Sequence, residues 1–255
     1  MFEIVFALLM FLTLTAAALT ARHLTPRLAS QHVSDETNNV IRLVANLFVV
    51  MTSLVFGLLI NSSRAGFESL DNQVHSYSTH LILLDRSLSA YGPDADPTRV
   101  LLARYVELAI ANPARLRRDE TLRDYSSEHG LTAVGDALAV LVPADAAAQS
   151  LLDDIRQQYQ QLVEERWDII EAAQRSVPVP LIAMLAAWLA LIFASFGYRA
   201  PKNGVVTACV TIAAALISGS LYLVMDMNRP FSGPMQISDA PLRQVLSELR
   251  RDRTR

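Results

Sequence analysis

Apolar residues are distributed along this chain in two distinct patterns. Four stretches carry no charged side chain: Ile4–Ala21, Leu43–Ser63, Ser176–Tyr198 and Asn203–Met225, of 18, 21, 23 and 23 residues. At ~1.5 Å per helical residue they reach about 27 to 35 Å against a hydrocarbon core of ~30 Å, which predicts four transmembrane helices. The first is short and ends in small residues, as a signal peptide does. Only Glu3 precedes it as a charged side chain, however, where a signal peptide carries cations, so a retained helix is expected.

Between the second and third stretches, Arg64 to Arg175 has the composition of a soluble helical domain. Its apolar residues begin Phe67, Leu70, Val74, Tyr77, Leu81, Leu84, Leu88, Tyr91, a 3-4 stepping that places them on one helical stripe. No proline interrupts the pattern from Leu43 until Gly92-Pro93, so the second helix is predicted to continue beyond the bilayer. The stripe fits two arrangements, packing inside one subunit or an oligomeric stem. A further helix is expected from Pro97 to Pro113, then a solvated connection over the charged stretch Arg115 to Glu128 and the Gly130 and Gly135 region, with a short helix after it. Asp145 starts a long helix ending near Ser176, and Pro178 and Pro180 mark entry into the third span. Spans three and four are joined by a tight turn, Arg199-Ala200-Pro201-Lys202. The predicted fold is an all-α membrane protein with a helical extramembrane domain between helices 2 and 3. Its segments are 1–63, 64–175, 176–226 and a C-terminal 227–255.

That last segment pairs a turn-rich motif with a helix capped by Asp239. Leu242, Val245, Leu246 and Leu249 lie on one side of this helix, while Arg243, Arg250, Arg251, Arg253 and Arg255 occupy the rest. A basic amphipathic helix of this kind suits an anionic leaflet; it equally describes a solvated chain end. Loop cations do not orient the chain. Arg22, Arg27, Arg42, Arg199 and Lys202 fall on one side, and Arg64, Arg166, Arg175, Arg229 and Arg243 on the other.

Composition narrows the possible functions. The chain is 52% hydrophobic yet 18% charged, below the roughly 25% of soluble domains. Its net charge of −3 argues against a nucleic-acid partner. One cysteine, Cys209, precludes an intrachain disulfide or a thiolate cluster. No phosphate loop, nucleophile elbow or zinc motif is present. Asp71 and His75 share a helix face near His80, but a third metal ligand is missing, so neither metal nor cofactor is expected and the chain does not read as an enzyme. The spans contain only mild polar residues, among them Asn46, Thr52, Asn61 and Ser218, which disfavours a proton-coupled carrier. A passive pore or a non-conducting assembly in the lipid bilayer remains.

Several motifs resemble a known family. The runs LLDRSLSAYGPDA at Leu83–Ala95, FASFGYRAPKN at Phe193–Asn203 and the closing PFSG…IS…PL are similar to the bestrophin-like family of bacterial membrane proteins. More loosely, Gly57 with Asn61 and Phe67, and Asp226, Arg229, Pro230, Phe231, Gly233 and Pro241 after the fourth span, resemble motifs of bestrophins proper. Bestrophins are pentameric anion channels with an apolar neck on the second helix. The resemblance therefore implies a homo-oligomer of five subunits that passes inorganic ions, anions by preference, through a neck of Val50, Leu54 and Leu58. It also implies both termini and the inserted domain on the cytoplasmic side of the cell membrane. The acidic calcium cluster of animal bestrophins is absent after Phe231, so calcium gating does not carry over. The competing expectation is a non-conducting scaffold or sensor whose stem and basic tail hold partners or lipids.

Overall fold

The computed structural model describes residues 2–27, 35–111, 125–174, 178–198, 200–201, 203–231 and 233–252. Among them every regular element is helical: α1 (Phe2–Leu24), α2 (Asp35–Tyr91), α3 (Asp96–Ala111), α4 (Tyr125–Val140), α5 (Ala146–Gln174), α6 (Val179–Gly197), α7 (Gly204–Met227) and α8 (Ala240–Asp252). Four of these, α1, α2, α6 and α7, are long and apolar enough to cross a membrane. The chain divides into two compact units, Met1–Ala65 with Ser176–Asn228, and Gly66–Arg175 with Arg229–Arg255.

The first unit holds the four apolar stretches. Met10, Leu14 and Ala18 of α1 form its core with Leu59 of α2, Leu185, Leu189 and Phe193 of α6, and Ala214, Leu221 and Val224 of α7. Without a hydrophobic drive between helices in lipid, such packing depends on close fit and on polar ties. Gly197 supplies the fit, because a Cβ there would run into the backbone carbonyl of Ala18. Arg22 Nη1 donates to Thr207 Oγ1 at 2.7 Å, joining the end of α1 to the start of α7. Asn203 caps α7 by accepting from the Val206 amide at 2.9 Å. The predicted turn between α6 and α7 retains Ala200 and Pro201; Arg199 and Lys202 lie outside the described residues.

In the second unit the 3-4 stripe is the core. Leu70, Val74, Tyr77, Leu81, Leu84 and Leu88 are buried beside Leu102, Tyr105 and Val106 of α3, Leu131, Val134 and Leu138 of α4, and Ile155, Leu162 and Ile169 of α5. Of the two arrangements open to the stripe, packing within one chain is therefore the one adopted. At the end of α2, Gly92 turns the backbone at φ +110°, a conformation other L-residues resist, and Pro93–Ala95 forms a single tight turn into α3. A buried ion pair spans this corner. Arg99 Nε donates to Asp85 Oδ1 at 2.9 Å and Nη2 to Oδ2 at 3.0 Å.

Two expectations need correction here. The solvated connection placed over Arg115–Glu128 and the Gly130 and Gly135 region is helical from Tyr125 to Val140, with both glycines inside α4; residues 112–124 lie outside the described set. The apolar side of α8 is not available to a leaflet, since Leu242, Val245 and Leu249 are buried in this unit's core. The arginines also have partners: Arg250 with Glu107 at 2.6 Å, Arg243 with Asp239 at 2.7 Å and Arg251 with Glu248 at 3.5 Å. The Asp239 side chain accepts from Arg243, which holds its carboxyl below the usual range. Arg253 and Arg255 lie outside the described residues.

Candidate functional site

α2 presents two faces in the first unit. Thr52, Leu59 and Ser63 are buried, and Phe48 on the same side meets Trp188 of α6 with ring centroids 6.2 Å apart. The other side carries Val50, Leu54 and Leu58, which are 65%, 60% and 62% exposed, with Leu43 and Leu47 continuing the row. Residues at i, i+4 and i+8 stack along one face of a helix, so these side chains form a continuous apolar strip. Gly57 and Asn61 are exposed, and a Cβ at Gly57 would meet no atom within 4 Å. Among the described residues the glycine has no close neighbour. Phe67 instead packs against the core of the second unit.

The motif after α7 is built differently. Asp226 is buried at the end of α7 and engaged in an interaction. Asn228 ends that helix, and its Nδ2 donates to Ser63 Oγ at 3.0 Å and to the Val224 carbonyl at 2.7 Å. Arg229 is likewise engaged, and the following residues form a closed turn in which the Ile237 amide donates to the Pro230 carbonyl at 2.8 Å. Pro230 is buried, Phe231 packs against the second unit's core and Pro241 is half-buried at the start of α8. Gly233 takes φ +108°, a position that favours glycine. Val50, Leu54 and Leu58 are thus brought together on a free face, whereas the residues after α7 hold the fold.

The second unit contains a polar seam that the stripe pattern did not reveal. The Tyr77 and Tyr105 hydroxyls meet at 2.6 Å, and Arg166 stands 5.7 Å over the Tyr105 ring. Burial pushes the Tyr77 hydroxyl well above its ordinary value and Tyr105 in the same direction. His80 Nδ1 lies 2.6 Å from Glu165 Oε1, and Ser87 donates to Gln158 at 3.1 Å. The sequence signal for it was Tyr77, a polar-tipped side chain among the aliphatic positions from Leu70 to Leu88. His75 Nδ1 sits 2.9 Å from the Asp71 backbone carbonyl and 3.8 Å from its carboxylate. Among the described residues no group of three or more metal-ligating side chains forms.

The family model for the bestrophin-like domain matches residues 12–242. The chain belongs to the bestrophin-like family. Its fold is also that of a bacterial bestrophin homologue from Klebsiella pneumoniae, solved as a point mutant. That similarity covers 99% of this chain and 100% of the other at 12% identity, with a TM-score of 0.62. None of the curated proteins matches the chain. This bestrophin-like chain is accordingly an all-helical membrane protein, with four helices suited to span the bilayer.

Proposed function

We propose that this bestrophin-like protein is a homo-oligomeric ion channel, built as a pentamer around an axis lined by α2 and passing anions. The observation that carries the reading is the exposed strip of Val50, Leu54 and Leu58 on a helix whose opposite side packs into its own subunit. Rings of such side chains make a constriction that water leaves readily, which is a means of gating. The family and the shared fold supply the context. In this reading the channel sits in the cytoplasmic membrane, with the Arg64–Arg175 domain and both termini in the cytoplasm.

A lipid-facing strip has the same exposure, and it is the basis of the competing scaffold or sensor. Two features that favoured that alternative have lost force. The stem stripe is filled by its own chain, and α8 has its apolar side buried and its described arginines paired.

The test is electrical. Purified protein in liposomes should show a reversal potential on the anion side of zero under a salt gradient. Leu54→Ala should raise the flux, because a smaller side chain widens and wets the neck. Absence of conductance under every ionic condition tried would sink the channel. Unchanged flux in Leu54→Ala would remove the neck from α2. Particle images without a closed ring would remove the axis.

A further inference from the structure

Within the first unit, the outward side of α2 is not apolar throughout. Asn46 precedes Val50 by four residues, and Asn61 follows Leu58 by three and Leu54 by seven, so both lie on the side of the strip. Ala45, Thr52, Leu59 and Ser63 are buried on the other side, whereas both asparagines are exposed. Arg42 and Arg64 bound the charge-free stretch, which places each amide inside it, and hydrocarbon offers a bare carboxamide no partner. The exposed hydroxyls of Thr13, Thr20 and Ser53 meet that need on their own helices. They donate to the Leu9, Ala16 and Val49 carbonyls at 2.8, 2.7 and 2.8 Å. Asn46 and Asn61 make no hydrogen bond among the described residues. At ~1.5 Å per residue they stand about 22 Å apart along the helix, and the ~12 Å from Val50 to Leu58 lies between them.

We propose that Asn46 and Asn61 are ion-contacting residues of the permeation path, two carboxamide collars that replace part of an anion's hydration shell at either end of the apolar neck. The inference rests on the channel reading above. Rings of Val50, Leu54 and Leu58 shed water, so an ion gives up part of its shell to enter. A carboxamide carries two N–H donors and no net charge. Such donors stabilise a partly dehydrated anion without trapping it, which conduction requires. Their loss weighs more on chloride, which is strongly hydrated, than on iodide.

The experiment measures chloride flux, iodide flux and the chloride-to-potassium permeability ratio in liposomes containing the full chain. Asn46→Leu and Asn61→Leu should each lower chloride flux on the order of tenfold, the scale of one lost hydrogen bond, and lower iodide flux less. Asn61→Asp should lower the chloride-to-potassium ratio near 0.1 M salt. That effect should largely collapse at 1 M, where the screening length falls from ~10 Å to ~3 Å. A further variant is read against itself: Asn46→Cys or Asn61→Cys in a Cys209→Ser background, before and after a sulfonate methanethiosulfonate, which should cut chloride flux. In a conducting wild type, equal losses of chloride and iodide flux in the leucine variants would assign the amides to packing between copies. A cysteine that fails to react, or gains the reagent's mass without a change in flux, would place them outside the path. Either result overturns the collars and leaves the channel standing. A wild type without conductance overturns both.

Discussion

Asp85 and Arg99 form a charge pair that the second unit holds almost entirely out of water, with side chains 5% and 7% exposed. Replacing Asp85 by Ala removes two charge-assisted hydrogen bonds and leaves a buried guanidinium. Deleting one member of a buried pair costs ~3–5 kcal/mol, chiefly because the survivor stays desolvated without its counter-charge, and the further interaction that Arg99 makes places the cost at the lower end. Asp96 stands 3.9 Å from Arg99 but is itself 66% exposed, so it recovers little. About 3 kcal/mol is expected, which in a unit of roughly 140 residues lowers the melting temperature by ~10 °C. Thermal unfolding of the detergent-purified chain, followed by circular dichroism, measures this. The control is Asp85→Leu with Arg99→Met, which replaces both charges by apolar groups of comparable size and should recover most of the loss. A single Asp85→Ala mutant melting within ~2 °C of wild type, about 0.5 kcal/mol on the same scale, would show that the pair is not buried in solution. A double variant as unstable as the sum of the singles would refute the cost assigned to the charge left without its counter-charge.

Three further outcomes follow from the packing. Gly197→Val places a side chain against the Ala18 carbonyl and should cost ~1–3 kcal/mol, whereas Gly57→Ala meets open space inside a helix and should leave the melting temperature the same or higher; equal losses would contradict the close approach of α6 and α1. Leu84→Ala, at a fully buried position, should cost ~2–5 kcal/mol in the same melts, and a shift below 1 kcal/mol would mean that the stripe is not a packed core. Tyr77 has a folded-state pKa raised above the ordinary 10.0, so the folded state retains a proton that the unfolded chain releases. Its contribution is complete below that ordinary value and is lost as pH rises toward the folded one, so stability should fall above pH ~10. Tyr77→Phe should make that fall shallower in denaturant titrations at pH 9 to 11; an identical slope would place the hydroxyl in water.

Much of this architecture can be read residue by residue along the chain. The four spans follow from runs without charge, because a bilayer demands about 20 apolar residues and tolerates few exceptions. The course of α2 from Leu43 to Tyr91 follows from the uninterrupted pattern and its end from Gly92-Pro93, whereas its start at Asp35 lies in a polar stretch that carries no such pattern. The row of Val50, Leu54 and Leu58 is equally a local fact, since helical spacing alone places the three together. The Ser63–Asn228 and Arg22–Thr207 bonds join residues 165 and 185 positions apart, and no local pattern pairs them.

By itself, then, the sequence determined most of the helical segments, which of them can cross a membrane, and the apolar faces of α2 and α8, but not the start of α2 or the span of α4. Periodicity and length are local quantities. Only the tertiary structure decided what each apolar face meets. It placed the α2 stripe against α3, α4 and α5 of its own chain, turned the apolar side of α8 into the same core, and paired Arg250 with Glu107 across 143 residues. An amphipathic pattern states that a face must leave water. The partner that covers it is set by packing among distant segments, and among the described residues none covers Val50, Leu54 and Leu58.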